Sequence, residues 1–148
     1  MSMRDTARAM SQENAETVLA LFAAWNAGDM EAVRELLDPR IVVWNPPDFP
    51  EPGPFIGPEG VIRQWEQQRE TYQADALEPI TEPIYAADRV VIRFIWQGTG
   101  QGPQSVNIEV TGVYAVRRGR IASVEHIWSH AEAVEAVGLS EQDTHADC

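Results

Sequence analysis

The feature that most constrains the fold is a set of three long segments, between residues 89 and 128, in which more apolar and more polar side chains alternate. The segments are Arg89–Gly98, Ser105–Val116 and Arg120–Trp128, and Gly-rich or Arg-Gly turns separate them. A period of two is typical of strands, because successive strand side chains point to opposite faces of a sheet. Strands that are joined by short turns pair as antiparallel neighbours. We therefore predict an antiparallel sheet in the second half of the chain.

The first part of the chain has helical spacing instead. Between Ser11 and Gly28, apolar residues recur every three or four positions, which is typical of a helix with one buried face. Gly28 suits the end of that helix, and Asp29 suits the start of a second helix that stops at Asp38–Pro39. Residues 1–11 are polar, and we expect them to be flexible.

Shorter patterns complete the predicted element order. Gly57–Gly60 opens a third helix, and a short helix over Ala131–Val137 closes at Gly138. Ile41–Trp44 is β-branched and aromatic, which indicates a strand, and a further strand is predicted near Leu77–Tyr85. Helices first and a long-stranded sheet afterwards predict an α+β fold with the helices on one face of the sheet.

A proline-rich segment separates the first strand from the third helix. Asn45–Phe55 contains five prolines in eleven residues, a density that no regular element tolerates. A disordered linker is one interpretation. The segment is short, holds two phenylalanines and lies between patterned segments, so the sequence favours a rigid lid or rim.

Successive strand side chains lie on opposite faces of the sheet, and we assign the more apolar set to the face that the helices cover. This set is Val90, Ile92, Phe94 and Trp96 on the first long strand, Val106, Ile108, Val110, Gly112, Tyr114 and Val116 on the second, and Ala122, Val124, His126 and Trp128 on the third. The concave wall of the sheet is therefore predicted to be rich in aromatic side chains.

The turn between the last two strands sets their register. A three-residue loop at 118–120 pairs Arg117 with Ile121 and, further along, Gly112 with His126. A two-residue loop would mix the two faces, so the sheet pattern favours three residues. We expect Gly112 to leave open space beside the imidazole of His126, since glycine in a strand often marks a close approach.

The composition is acidic, with 11 Lys and Arg against 23 Asp and Glu and a formal net charge of −12. Such a surface repels nucleic acid and anionic membranes, so we expect neither as a partner. The apolar runs are too short to span a bilayer and no secretion signal is recognisable, so we expect a cytoplasmic protein. The single cysteine, Cys148, lies at the C-terminal end, where it suits neither a disulfide nor a catalytic thiol.

Three motifs in this order resemble the nuclear transport factor 2-like superfamily, in particular its SnoaL-like and ketosteroid isomerase-like branches. They are Trp25–Asp29 at a helix end, the strand followed by the proline-rich loop, and Arg118–Ile121 before the last strand. The resemblance covers residues 12–138 as one domain, which leaves 139–148 as a flexible tail. It implies a cystatin-like cone, in which a curved antiparallel sheet wraps round the N-terminal helices.

The resemblance also implies a deep apolar pocket for a small apolar ligand, and a homodimer that forms through the outer face of the sheet. It does not fix the function. Members of the superfamily include isomerases, cyclases, dehydratases, epoxide hydrolases and non-catalytic domains.

The chemistry of ketosteroid isomerase is not expected here. That reaction needs a carboxylate to move a proton, and a tyrosine and a protonated aspartate to hold the oxyanion. At the matching positions the sequence has Asn45, Leu21 and Gly112, respectively. An asparagine cannot act as a carboxylate base, and leucine and glycine side chains donate no hydrogen bond. All three working groups of the reaction are therefore missing.

His126 is the candidate for a different chemistry. It lies on an apolar strand face and titrates near neutrality, so it could act as a general acid or base. Tyr114 lies on the same face of the neighbouring strand and could hold or donate a proton beside it, while Asn45 could orient a ligand carbonyl. A lone histidine among apolar side chains is also common as a hydrogen-bonded core or ligand-orienting residue, and that alternative stays open.

Five aromatic residues could stack on a flat apolar ligand, and these are Trp25, Trp65, Phe94, Trp96 and Trp128. Packing in the core is the alternative for each of them. Binding sites are mostly apolar with few polar groups, so we predict that at least two line a pocket together with Asn45 and Gly112. Trp44 alternates away from Asn45, which places it on the outer face or against a dimer partner.

Metal and cofactor sites find no support. His126 and His130 are four residues apart, but a strand end lies between them, so they do not share a helix face as a zinc pair would. No phosphate-binding loop, dinucleotide fingerprint or nucleophile motif is present. Two classes of function remain open. One is a cofactor-independent isomerase, cyclase or dehydratase that acts on an apolar carbonyl compound, and the other is a non-catalytic ligand-binding or association domain.

Overall fold

The computed structural model describes residues 3–49, 51–72, 74–98 and 107–136. In chain order, its elements are α1 (Met3–Ala27), α2 (Met30–Leu36), β1 (Leu37–Trp44), β2 (Phe55–Ile56), α3 (Gly57–Tyr72), β3 (Ala74–Pro79), β4 (Ile84–Ala86), β5 (Arg89–Gly98), β6 (Asn107–Arg117), β7 (Arg120–Ile127) and α4 (His130–Ala136). The predicted α+β order, with helices first and long strands afterwards, is confirmed. The predicted tail at 139–148 and the helix end at 137–138 lie outside the described residues.

The first two helices meet where the sequence predicts. Gly28 has a φ of 73°, and the Asp29 side chain accepts a hydrogen bond from the backbone N–H of Ala32 at 3.1 Å. The start of α1 differs, because the helix begins at Met3 and includes residues that we predicted to precede it. Met3–Ser11 contains neither proline nor glycine, so nothing in this segment interrupts a helix.

The curved sheet has the strand order β2-β1-β7-β6-β5-β3, and β4 also pairs with β5. The prediction of a purely antiparallel sheet is wrong for one pair, because β1 and β7 run parallel. Parallel neighbours need a long crossover connection, and the whole chain between β1 and β7 supplies it. The sheet is therefore mixed.

Two strand predictions need correction. The first strand begins at Leu37 and includes Asp38–Pro39, where a register shift against β7 accommodates a proline that cannot donate to the ladder. The segment predicted as one strand near Leu77–Tyr85 forms two short strands, β3 and β4, because the chain bends between them at Thr81. Both strands pair with β5.

The turn between β6 and β7 is shorter than predicted, but the register beyond it is as predicted. Arg118 and Gly119 form a two-residue turn with φ values of 54° and 74°, as type I′ hairpins require, and Arg117 pairs with Arg120. A register shift then adds one residue on β7, so that Gly112 still lies opposite His126. Strict alternation with Ala122 and Val124 predicts Ile121 on the outer face of the sheet. The extra residue turns Ile121 inwards instead, and its side chain is fully buried in the main core.

The main core lies between the helices and the concave face of the sheet, and it joins residues of α1, α3, β1, β5, β6 and β7. A smaller cluster on the opposite face consists of Val91, Val113 and Ala133, so α4 covers part of the outer face. Trp44, predicted to face outwards, is 43% exposed. Among the described helices, none is both long and apolar enough to cross a membrane.

Candidate functional site

A cavity lies between the concave face of the sheet and helices α1 and α3, and the empty space there, including open solvent at its mouth, is about 620 Å³. The structure brings eight of the nine predicted site residues together around it: Trp25, Asn45, Trp65, Phe94, Trp96, Tyr114, His126 and Trp128. The ninth, Gly112, lies beneath the ring of Tyr114 and does not line the cavity.

Eight further residues line the cavity, namely Leu21, Phe22, Pro46, Phe49, Gln68, Leu77, Ile108 and Val110. The sequence placed Ile108 and Val110 on the concave face, and Pro46 and Phe49 in the rim, without naming them as site residues, and it missed the other four as cavity-wall residues. Helical spacing could have found two of them, because Phe22 and Gln68 lie one turn from the predicted Trp25 and Trp65 on the same helices. No local signal points to Leu77, which reaches the cavity through the pairing of β3 with β5.

The orientation of the His126 ring is fixed by Asn45. The ring nitrogen Nδ1 lies 3.1 Å from Asn45 Oδ1. The Asn45 amide nitrogen donates at 2.9 Å to the backbone carbonyl of Glu51, which leaves its oxygen facing the imidazole. An amide oxygen only accepts, so Nδ1 carries the hydrogen and Nε2 carries the lone pair in the neutral ring.

The proline-rich segment forms the rim of the cavity at this end. The backbone N–H of Asn45 donates to the Pro52 carbonyl at 2.8 Å, so backbone and side chain both hold Asn45 to the loop. Trp128 Nε1 donates to Asp48 Oδ1 at 2.7 Å, and the rings of Phe49 and Trp128 lie 6.1 Å apart. These contacts support the rim that the sequence favours.

His126 is neutral around pH 7. Its removal from water lowers the pKa to about 4, and a hydrogen bond to the backbone of Trp44 opposes this shift in part. The Phe94 ring packs edge-on against the imidazole with centroids 6.0 Å apart, which adds to the apolar surroundings. The ring therefore offers a ligand an uncharged acceptor nitrogen.

The lack of a side chain at Gly112 makes room for the ring of Tyr114 and not for open space beside His126. A Cβ atom at position 112 would lie 2.5 Å from Tyr114 Cε2 and 2.7 Å from its hydroxyl oxygen. The expectation of open space beside the imidazole is therefore wrong, because the tyrosine ring leans along β6 over the glycine and occupies that space. Burial raises the pKa of Tyr114, so the phenol remains protonated and can donate a hydrogen bond.

Three buried donor atoms belong to side chains that line the cavity on α1, α3 and β5. Trp25 Nε1, Gln68 Nε2 and Trp96 Nε1 are buried and have no hydrogen-bond partner among the described residues. The rings of Trp25 and Trp65 meet edge-to-face with centroids 6.1 Å apart, and the Arg69 guanidinium lies 5.0 Å from the centroid of the Trp25 ring.

Two of the three positions that match the ketosteroid isomerase groups do line the cavity. Leu21 contributes an apolar wall, Asn45 holds His126, and the space above Gly112 is filled by the Tyr114 phenol. Within the described ranges, no group of three His, Cys, Asp or Glu side chains could hold a metal ion.

Solved structures share this fold at low sequence identity. Bal32a, from a soil-derived mobile gene cassette, is 21% identical, with a TM-score of 0.69 over 85% of this chain and 96% of its own. A Sinorhizobium meliloti protein, proposed to be a polyketide cyclase, is 22% identical, with a TM-score of 0.61 over 75% of this chain and 93% of its own. TerC, co-crystallised with polyporic acid, is 22% identical, with a TM-score of 0.65 over 85% of this chain and 98% of its own.

The comparison with curated proteins gave no significant match. The sequence profile of the SnoaL-like domain matches residues 18–124, a range that runs from the middle of α1 into β7 and includes all but two of the predicted site residues. This range is well over half of the chain. The chain therefore belongs to the family of SnoaL-like domains, within the nuclear transport factor 2-like superfamily.

Proposed function

We propose that the cavity binds a small apolar carbonyl compound and that the chain catalyses a cofactor-independent proton transfer on it, as an isomerase, cyclase or dehydratase. One observation carries the proposal. A neutral imidazole, fixed by Asn45 in the form with a lone pair on Nε2, lies in an apolar cavity that the Tyr114 phenol also lines. One group accepts a proton and the other donates a hydrogen bond, which is the pair that enolisation requires.

In the proposed step, Nε2 of His126 takes a proton from the carbon next to the substrate carbonyl. The electron pair of that C–H bond moves into the carbonyl, and the hydroxyl of Tyr114 stabilises the developing oxyanion by a hydrogen bond. The imidazolium then returns the proton to another carbon or to a leaving hydroxyl group. A pKa of about 4 makes the free imidazole a weak base. The substrate class that suits it has an acidic C–H, such as one between a carbonyl group and an aromatic ring.

The similar structures support a ligand of this kind. One neighbour is a proposed polyketide cyclase. Another, TerC, was co-crystallised with polyporic acid, and the match with this chain covers 98% of TerC. Both are under 25% identical, so they support the choice of ligand class and leave the substrate open.

The test is exchange of the α-protons of 2-tetralone into D2O, followed by NMR with and without the protein. We expect acceleration by the native chain. Loss of the base in His126→Gln should reduce it by about 10²–10⁴-fold, and loss of the donor in Tyr114→Phe by about 10²-fold or more. His130→Gln is the matched control, because His130 lies beside Thr111, outside the cavity. Exchange that His126→Gln leaves unchanged would show that His126 is not the base.

The second candidate is a non-catalytic ligand-binding or association domain. The low pKa of His126 favours it, since a ring that is hard to protonate also serves as a plain hydrogen-bond acceptor. In that case 2-tetralone binds in the cavity without any acceleration of exchange, so the same experiment separates the two functions.

We also propose a homodimer through the outer face of the sheet. Trp44 is 43% exposed and Ile56 is 67% exposed, and both belong to the β1–β2 end of the sheet, whereas the main contacts of α4 are with β5, β6 and β7. Light scattering checks this proposal: the native chain should have twice the monomer mass, and Trp44→Glu should lower it.

A further inference from the structure

The cavity has an end with hydrogen-bond donors that the proposed proton transfer does not use. Gln68 is 5% exposed and its Nε2 lacks a partner among the described residues, as do the indole nitrogens of Trp25 and Trp96. All three side chains line the cavity and come from three different elements, α3, α1 and β5. Three buried donors without a partner therefore belong to side chains that line one cavity, although no local pattern in the sequence links them.

Leaving such groups unpaired is costly. A buried donor without an acceptor destabilises the folded chain by about 1–3 kcal/mol, and more than nine in ten buried polar groups in proteins are paired. An unpaired buried donor in a native structure calls for an explanation, and a ligand atom is one source of the missing acceptor. An indole N–H can only donate, so the complementary ligand atom is an oxygen that bears lone pairs and no hydrogen.

The strand register separates this end from His126. Trp96 lies opposite Ile108, and His126 lies opposite Gly112, which is four residues further along β6. At about 3.3 Å per residue the two rows are about 13 Å apart along the strand. Val110 lines the cavity between them, opposite Phe94, so the middle of the cavity is apolar.

We propose that the ligand is elongated, flat and apolar, with a carbonyl or carboxylate oxygen that binds the donors of Gln68, Trp25 and Trp96 at the end opposite His126. This proposal rests on the proposed binding of a small apolar compound in the same cavity. Gln68 is the central donor, because its amide can turn into the cavity by rotation about its side-chain bonds, whereas the indoles are held by packing. The Arg69 guanidinium over the Trp25 ring adds positive charge at this end, which favours an oxygen with negative character.

A matched set of naphthalene probes tests the proposal. In 6-acetyl-2-naphthol, the hydroxyl can donate to His126 while the acetyl oxygen meets the donors at the far end. In 6-ethyl-2-naphthol, a methylene group replaces that carbonyl and little else changes. In 6-hydroxy-2-naphthoic acid, the oxygen is anionic. Binding is followed by quenching of tryptophan fluorescence and by calorimetry on the full chain. We expect the acetyl probe to bind about tenfold tighter than the ethyl probe.

The variants are Gln68→Met and, as the matched control, Gln64→Met. Both positions lie on α3, one turn apart, and both glutamines are buried at 4–5% exposure, but only Gln68 lines the cavity. Methionine keeps the length and the helix preference of glutamine and removes the donor. Gln68→Met should reduce the preference for the acetyl probe about fivefold. The midpoint of urea unfolding should stay the same or rise, because an unpaired buried donor is lost.

The outcomes separate the two proposals. The donor end is supported if either oxygen-bearing probe binds more tightly than the ethyl probe, and if Gln68→Met weakens this preference while Gln64→Met does not. Whichever of the acetyl and carboxylate probes binds more tightly would identify the oxygen. Equal binding of the acetyl and ethyl probes would overturn the donor end and leave the binding cavity standing. Failure of every probe to bind would overturn the proposed binding function itself. An equal loss in both variants would show a general effect of α3, and would also overturn the donor end.

Discussion

At the scale of single residues, the site depends on how neighbouring side chains restrict one another. Asn45 sets the tautomer of His126, and Gly112 makes room for the ring of Tyr114. The sequence identified all four residues, but it assigned Gly112 to the wrong partner. A strand pattern fixes the face of a side chain and not the direction in which it leans along the strand, and the lean of Tyr114 decides which atoms meet.

Gly112→Ala tests the contact with Tyr114. The added methyl group would lie 2.5 Å from the ring carbon Cε2, so the ring must move or the strand must bend. We expect a loss of about 1–3 kcal/mol in the free energy of unfolding, measured with urea.

The cause is checked in a double-mutant cycle. When Tyr114→Ala has already removed the ring, Gly112→Ala should cost less than about 1 kcal/mol, because the clash no longer exists. An equal cost in both backgrounds would mean that the backbone at position 112, and not the tyrosine, requires the glycine.

At the scale of elements, the proline-rich rim joins β1 to the mouth of the cavity. It holds the end of β1 through Asn45, and it holds Trp128 just after β7 through Asp48. The sequence predicts a rigid rim from proline density and from the phenylalanines. The contact between Asp48 and Trp128 could not be foreseen, since it joins residues 80 positions apart in the chain.

We predict that Asp48→Ala loosens the rim. The variant removes the acceptor of the Trp128 indole N–H, whose hydrogen bond is exposed to solvent, so the stability should fall by no more than about 1–2 kcal/mol. The dissociation rate of 6-acetyl-2-naphthol, measured by stopped-flow fluorescence, should rise several-fold, because Trp128 and Phe49 lose their fixed positions at the mouth. Glu51→Ala is the control on the same loop, because only the backbone carbonyl of Glu51 takes part in the contact with Asn45. An unchanged dissociation rate in Asp48→Ala would argue against a role of the rim in holding the ligand.

Strand register also belongs to this scale. The bounds of β5 were predicted to the residue, and the pairing of Gly112 with His126 was predicted correctly from a loop of the wrong length. Two compensating differences explain this result. The turn is one residue shorter than predicted, and a register shift on β7 restores the count, because burial of Ile121 and Val124 on the same side stabilises the shifted strand.

At the scale of the whole molecule, the pH dependence of stability reflects two opposing contributions. Protonation of carboxylates relieves the repulsion within a chain of net charge −12, which stabilises the folded state at mildly acid pH. His126 acts in the other direction. Its pKa is about 4 when folded and near 6.5 when unfolded, so the unfolded chain binds more protons between these values. Its contribution is complete above pH 6.5 and is lost as the pH falls towards 4.

We therefore predict that native protein and His126→Gln respond differently to acid. Between pH 7 and pH 4.5, the native chain should lose about 2–3 kcal/mol more free energy of unfolding than the variant, as an upper estimate, since the ring borders a cavity that water can enter. Urea unfolding at intervals of half a pH unit measures the difference, in which the carboxylate contributions cancel. Parallel curves for the two proteins would show that His126 does not titrate with a depressed pKa.

The class of fold, the order of the elements, the faces of β5 and β6 and eight residues of the cavity wall could be predicted from the chain alone, because they follow from periodicity and from short-range preferences. Tertiary packing alone brings β1 parallel to β7, sets Tyr114 over Gly112, and makes Gln68 line the same cavity as the indoles of Trp25 and Trp96. Each of these features brings together segments that are distant in sequence, or sets the lean of one side chain against another. Such contacts depend on how the elements pack, and no local pattern encodes them.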